Sequence, residues 1–495
     1  MIHIGEILSQ LFSLYGIFIM SLGVTVGILG GALPGVSTTM TVALVATGTY
    51  TMEPLWAITF LAATQVGSTY GGSIAATVLN IPGTPSAAAT AIEGYPLTRK
   101  GEAAKALSVN VISSFFGNTI GAILLVITLP FMLKLSMKFG PWELFWFAIF
   151  GVVICAKLSR ANFVKGLIAS SLGLFLAMIG IDPIWGTHRF TFDILYLTDG
   201  IPLIPAMVGL YGMSEVFTSL TDHKVEPIFF KEAKLFQFNE WAKYKILSLR
   251  AALLGFIIGV IPGVGANIAS WVGYDHAYST SKQPEQFGKG SIEGLVGSES
   301  ANNACVPGAY APLLVLGVPG DAVTAIILGV LVVHGVQPGP TFLRSNPDFL
   351  YQIALAIIFS GILFLIIGTF IGRGIIKLLV TPLPAIMATV TLLCVIGSYA
   401  ISFRIEDVYL MFIFGILGMS MKKFDFPIAP LILGLILGGT LGDANFRRSI
   451  IAGKGSFLPF ITRPISLVMV IMLVIVLFFE FVYPLLRKKK QSKEV

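Results

Sequence analysis

The chain has 495 residues, 55% hydrophobic and only 12% charged, about half the roughly 25% charge of a soluble domain, and its mean hydropathy is +0.88. These values exclude a soluble enzyme or binding module and predict an all-α protein that crosses a membrane many times. The formal net charge of +7 falls in short loops between apolar runs, the pattern of cytoplasmic loops, and no basic patch interleaved with aromatics points to a nucleic acid.

The first apolar run, residues 7–29, lacks a basic leader and a small-residue cleavage site, so it is expected to remain as a membrane helix. It is interrupted at "GGALPGVSTTM" (30–40), where Pro34 must break the helix. A broken helix in lipid leaves backbone groups unpaired, at a cost of several kcal/mol each. Further apolar runs follow at 107–133, 141–156, 164–181, 201–219, 350–372, 384–402 and 465–486. The polar stretch 220–248 is expected to be a cytoplasmic linker carrying a surface helix. Cys155, Cys305 and Cys394 are far apart, with no CxxC pair, and read as small packing residues.

The opening motif recurs. "GALPGVSTT" (31–39) matches "GVIPGVGAN" (259–267), "GSTYGGS" (67–73) matches "GSESANN" (297–303), and "LNIPGTPSAA" (79–88) matches "LGVPGDAVTA" (316–325). Three landmarks in one order at nearly constant spacing indicate a duplication. Repeat A spans 1–220, the linker 221–247 and repeat B 248–463; residues 464–495 add a further transmembrane helix and the basic tail "RKKK" (487–490), expected to be cytoplasmic.

Basic residues set the orientation. Arg99, Lys100 and Lys105 precede the run 107–133, whereas Arg373 and Lys377 follow the corresponding run 350–372. Lys157, Arg160 and Lys165 mark another inner loop, and Asp182, Asp193 and Asp199 an outer one. The two repeats are therefore expected to be inverted about a pseudo-two-fold axis in the membrane plane. Arg447, Arg448, Lys454 and Arg463 fall against this pattern, on the side expected to face out.

Inverted repeats with Pro/Gly breaks at equivalent positions point to a transporter's binding site. Each break frees a helix N-terminus suited to an anion and carbonyls suited to a small cation. The candidate substrate residues are Pro34, Gly35, Ser37, Thr38, Thr39, Asn80, Pro82, Gly83, Thr84 and Ser86 in repeat A. In repeat B they are Pro262, Gly263, Asn267, Pro319 and Gly320. Candidates for the coupling ion are Ser68, Thr69, Ser298, Glu299, Asn302, Asn303, Asp321 and Thr324, with Ser73 and Ser300 beside them. Carboxylates at membrane depth are expensive and usually functional, which singles out Glu299 and Asp321. Against this, a lone Ser or Thr often bonds its own backbone one turn back, the glycines can serve close helix packing, and Asp321 can simply cap the helix after it. His276 and His334 read as packing or interface residues.

"GGALPGVSTTMTVALV", "QVGSTYGGSIAATVLNIPGTPSAAATAIEGYPLTRKGEA" and "GVPGDAVTAIILGVLVVHGVQPGP" resemble the large, TctA-type permease subunit of tripartite tricarboxylate transporters, over nearly the whole chain. The resemblance implies uptake of a citrate-like tricarboxylate or related carboxylate, driven by a sodium or proton gradient, and this chain has no P-loop. It also implies two partners, a small four-helix membrane subunit and a periplasmic substrate-binding protein, in a bacterial inner membrane. No cofactor is expected beyond the coupling ion, no resident metal and no catalytic residue. Repeat B departs from repeat A, with Gly265, Ala266 and Asn267 opposite Ser37, Thr38 and Thr39, so the two half-sites are not expected to be equivalent. By analogy with other carboxylate carriers, one part is expected to move as an elevator against a scaffold. An intramembrane metalloprotease would need HExxH, which none of the five histidines provides, and a channel would not need inverted repeats.

Overall fold

A computed structural model describes residues 3–33, 36–80, 82–158, 163–182, 185–219, 238–339, 342, 346–379 and 383–478. Of the sequence-based expectations, Pro34 and Gly35, most of the linker and the basic tail lie outside these residues. So do the side chains of Cys155, Lys157, Arg160, Arg373 and Lys377.

The first half runs α1 (Ile4–Leu11), α2 (Leu14–Ala32), α3 (Thr38–Ala46), α4 (Pro54–Leu79), α5 (Ala88–Arg99), α6 (Ala103–Ser136), α7 (Pro141–Leu158) and α8 (Phe163–Leu176). It closes with α9 (Leu203–Met207), a π-helix at Val208–Met213 and α10 (Ser214–Ser219). After α11 (Phe238–Ala242) come α12 (Lys245–Val260), α13 (Gly265–Thr280), α14 (Ile292–Leu316), α15 (Ala322–Val333), α16 (Pro347–Leu379), α17 (Leu383–Ser402) and α18 (Ile405–Lys423). The second half closes with α19 (Ile428–Leu437), a π-helix at Gly438–Asp443, α20 (Ala444–Ala452), α21 (Pro459–Thr462) and α22 (Pro464–Leu477). The series beginning at α2 thus recurs from α12, and the π-helices fall at matching places. Among the described residues, four helical stretches are long and apolar enough to cross a membrane: Leu14–Ala32, Ala103–Lys134, Pro347–Phe370 and Pro384–Ser402.

The run 201–219 forms one apolar helix, Leu203–Thr218, with a π-helical segment at Val208–Met213 inside it. Two expectations change. The run 164–181 stops at Leu176; beyond it a two-residue antiparallel ladder pairs Gly180–Ile181 with His188–Arg189, the one departure from an all-α description among the described residues. The helix expected on the linker's surface is α11, and it is anchored: Trp241 is buried and stacks on Phe116 at 4.0 Å.

The chain divides into two compact units that cut across the sequence halves. Unit 1 comprises Met1–Leu133 and Ile204–Ser420; unit 2 comprises Lys134–Leu203 and Met421–Val495. In unit 1, α2 packs along α4 and α12 along α14 through small residues. A Cβ on Gly27 or Gly31 would collide with the carbonyl oxygens of Thr64 and Ser68. One on Gly255 or Gly259 would collide with those of Ala301 and Cys305. Glycine is what lets these backbones meet. α4 and α14 are buried around almost their whole circumference, which marks them as central helices. Both end on a left-handed residue, Asn80 (φ 57°) and Gly317 (φ 69°), so each chain turns sharply into its second Pro-Gly break.

Unit 2 explains two of the four basic residues that violate the charge pattern, Arg447 and Arg463. Arg447 Nη1 donates to Asp182 Oδ2 at 2.5 Å and its Nε to Asp443 Oδ1 at 2.9 Å, while Arg189 bonds Asp443 at 3.0 Å. Arg463 Nε donates to the buried Glu143 at 2.6 Å. These charges answer local acids, so their position follows partners in the fold.

Candidate substrate and ion site

The candidate site lies in unit 1 and is organised by α4. Gln65, Thr69, Ser73 and Thr77 recur every fourth residue, and are therefore stacked on one face of the helix. All four are buried. Gln65 Nε2 donates to Asp321 Oδ2 at 3.4 Å and Gln65 Oε1 accepts from Tyr310 Oη at 3.0 Å. Two turns on, Ser73 Oγ donates to Glu299 Oε1 at 2.6 Å. One turn further, Thr77 Oγ1 accepts from Asn110 Nδ2 at 2.7 Å. The contacts Gln65–Tyr310 and Ser73–Glu299 require α4 and α14 to run antiparallel. The two carboxylates meet α4 at points about 12 Å apart along its axis.

Glu299 is fully buried and surrounded by neutral donors. Ser73 and Thr90 donate to Oε1; Ser114 donates to Oε2 at 2.7 Å, with Asn303 Nδ2 at 3.4 Å. These donors come from α4, α5, α6 and α14, so four helices converge on one carboxylate. Asn302, one turn along α14, is also fully buried, and neither of its amide atoms has a partner among the described residues.

Asp321 stands where α15 begins. Its Oδ1 accepts from Thr324 N and Thr324 Oγ1, both at 2.7 Å, and its own N–H donates to Thr324 Oγ1 at 2.8 Å. This reciprocal capping box occupies one carboxylate oxygen and leaves Oδ2 facing Gln65. The two breaks of the second half meet here, because Gly263 N donates to Gly320 O at 2.8 Å. Gly263 has φ 82°, a conformation that favours glycine. No cationic side chain bonds either carboxylate among the described residues.

The other sequence candidates divide into groups. Ser37 caps α3 by accepting from Met40 N at 3.2 Å, and Ser68 Oγ donates to Thr38 Oγ1 at 3.2 Å, joining the first and second motifs. Thr39 is half-buried. Thr84 and Ser86 are buried and hydrogen-bonded to each other at 3.1 Å, and Gly83 N donates to Gly72 O at 3.3 Å. Pro262, Pro319 and Gly320 are buried, but Asn80, Pro82 and Asn267 are exposed. Thr69 and Ser298 bond backbone carbonyls one turn back, the local use that competes with ligand contact.

Sequence reasoning passed over Gln65, Thr90, Ser114, Asn110 and Tyr310. The four-residue spacing of 65, 69, 73 and 77 was a signal for Gln65; Thr90 and Ser114 sit in helices that carry no break. It also missed Glu93. This buried carboxylate accepts from Tyr274 Oη (2.7 Å) and from the backbone N–H groups of Gly288, Gly290 and Ser291 (2.6, 2.8 and 2.7 Å). It pins α5 to the segment leading into α14.

Residues 17–433 match the family described as the tripartite tricarboxylate transporter TctA family. The chain belongs to this family. TctA members are transporter permeases rather than enzymes, and work with membrane and binding-protein partners in tripartite systems. This TctA-family chain is accordingly a multi-pass membrane protein and a permease component. It is 34% identical over 446 residues, 90% of its length and 89% of the relative's, to an "Uncharacterized 52.8 kDa protein in TAR-I ttuC' 3'region" from Agrobacterium vitis. It is 35% identical over 212 residues, 43% of its length and 87% of the relative's, to an "Uncharacterized protein in TAR-II ttuC' 3'region" from the same organism. No solved structure matches it.

Proposed function

We propose that the chain is the large permease subunit of a binding-protein-dependent secondary transporter for citrate-like tricarboxylates or related carboxylates. It takes substrate from a periplasmic binding protein and works beside a small four-helix subunit in the bacterial inner membrane, with its C-terminus in the cytoplasm. The observation that carries the site is the pair of carboxylates, Glu299 and Asp321, set against one face of α4 with no basic partner among the described residues. A carboxylate there would repel an anionic substrate at close range, so its use is to hold the coupling ion, sodium or a proton. The substrate is assigned to the Pro-Gly breaks, where freed N–H groups and hydroxyls, Ser37, Thr38, Thr84 and Ser86 among them, suit an anion. The recurrence of helices and π-turns and the antiparallel contact of α4 with α14 support reading the halves as inverted repeats. Elevator motion of one part against a scaffold is taken as the transport mode by analogy with other carboxylate carriers.

The decisive experiment is uptake of labelled di- and tricarboxylates into proteoliposomes containing the partner subunits, with sodium and pH gradients imposed separately. Gradient-driven accumulation of a carboxylate is the expected result. Uptake that follows no ion gradient overturns the coupling assignment.

A further inference from the structure

Away from this site, a cavity of about 290 Å³ opens between α1 and the first turns of α16. Its polar lining includes His3, Glu6, Gln10, Asp348 and Gln352, with Phe349 among its apolar walls. His3 holds Asp348 twice, through its backbone N–H to Oδ1 at 3.1 Å and through Nδ1 to Oδ2 at 3.0 Å. Glu6 and Gln10 have no side-chain partner among the described residues. The decisive feature is Gln352. It is 2% exposed, yet its Nε2 donates to nothing among the described residues, and a buried donor left unmet is costly.

The ligand such a lining asks for has two parts. Two carboxylates call for a cationic hydrogen-bond donor, and the orphaned amide calls for an acceptor nearby. The volume sits at the lower edge of the range for small-ligand pockets, about 300–1,000 Å³, so the bound part is small. Its position indicates where that part comes from. α16 supplies one of the membrane-crossing stretches, and the ends of such helices lie at head-group depth. Beside the cavity α1 and the start of α2 expose Ile4 (51%), Phe12 (54%) and Leu14 (88%), a surface for acyl chains. We propose that the cavity binds the head of an aminophospholipid, its primary ammonium against Glu6 and Asp348 and its phosphate oxygen accepting from Gln352 Nε2.

The full chain, purified in detergent, is offered phosphatidylethanolamine, phosphatidylcholine or free O-phosphoethanolamine, and retained ligand is counted by native mass spectrometry. Phosphatidylcholine keeps the charge but has no N–H donors, so it separates a hydrogen-bonded ammonium from bulk charge. Retention of phosphatidylethanolamine about tenfold above phosphatidylcholine is expected, the scale of one charged hydrogen bond. Glu6→Gln, an exposed change that leaves folding intact, and Gln352→Leu should each remove that preference, while Glu406→Gln on α18 should keep it. Equal retention of the two lipids, or a preference that survives Glu6→Gln, overturns the proposal. Displacement of the lipid by equimolar O-phosphoethanolamine overturns it too, by assigning the cavity to a soluble amine.

Discussion

Ser73 Oγ and Glu299 Oε1 lie 2.6 Å apart, joining the central helix of one sequence half to its counterpart in the other. With Thr90, Ser114 and Asn303 they form a closed set of neutral donors around a single carboxylate. Glu299→Gln keeps the shape and much of the bonding but removes the charge. Ion-coupled uptake should fall at least about tenfold, the scale of one charge-assisted hydrogen bond, with little loss of thermal stability. Glu299→Leu should cost stability as well, about 1–3 kcal/mol for each donor it strands. Uptake and melting curves of the two variants separate coupling from structure.

Asp321 bonds Thr324 through Oδ1 and Gln65 through Oδ2, and one substitution separates its capping from the proposed ion binding. Asparagine caps a helix about as well as aspartate, so Asp321→Asn should express and melt normally. The half-saturating sodium concentration or the pH dependence of uptake should nevertheless shift. Gln65→Leu, which removes the donor facing Oδ2, should shift the same parameter. Unchanged ion dependence in Asp321→Asn would leave the residue as a cap alone.

Glu93 should behave as a latch. Glu93→Gln replaces a side chain whose two oxygens accept four bonds by an amide that cannot accept them all. A loss of about 1.5–3 kcal/mol, the value of one bond to a charged group, is expected in thermal unfolding. Protease cleavage near residues 283–291 should rise with it; a variant that leaves this segment protected contradicts the latch.

The Arg447–Asp182 pair in unit 2 should couple measurably. Arg447→Met leaves Asp182 with Arg189 at 3.7 Å as a partial replacement, so the cost should be about 1–3 kcal/mol. A double-mutant cycle with Asp182→Asn should return a coupling of about 0.5–3 kcal/mol, and additive losses would mean the contact carries no energy.

Cysteine accessibility mapping in cells tests the orientation. Residues 95–105 and 222–245 should both be labelled from the cytoplasm. Labelling from opposite sides would remove the basis for inverted repeats.

The sequence by itself determined the solvent and the helices. Continuous apolar runs of about 20 residues are too long and too uniform for barrel strands and satisfy their backbone in lipid as helices, and a local pattern carries that information. Proline and glycine likewise announced where helices stop, because their effect is confined to a turn. The paired motifs singled out Glu299 and Asp321 through residue type and spacing alone. The tertiary fold decided which side chains face them. Gln65, Thr90 and Ser114 reach the carboxylates across sequence separations of 185 to 256 residues, and nothing in a helix's own sequence states which neighbour it will touch. It also decided that Arg447 and Arg463 answer Asp182 and Glu143 instead of the charge pattern of the loops. A buried acid, once formed by packing, attracts a cation within a few ångströms more strongly than any loop bias acts on an exposed one.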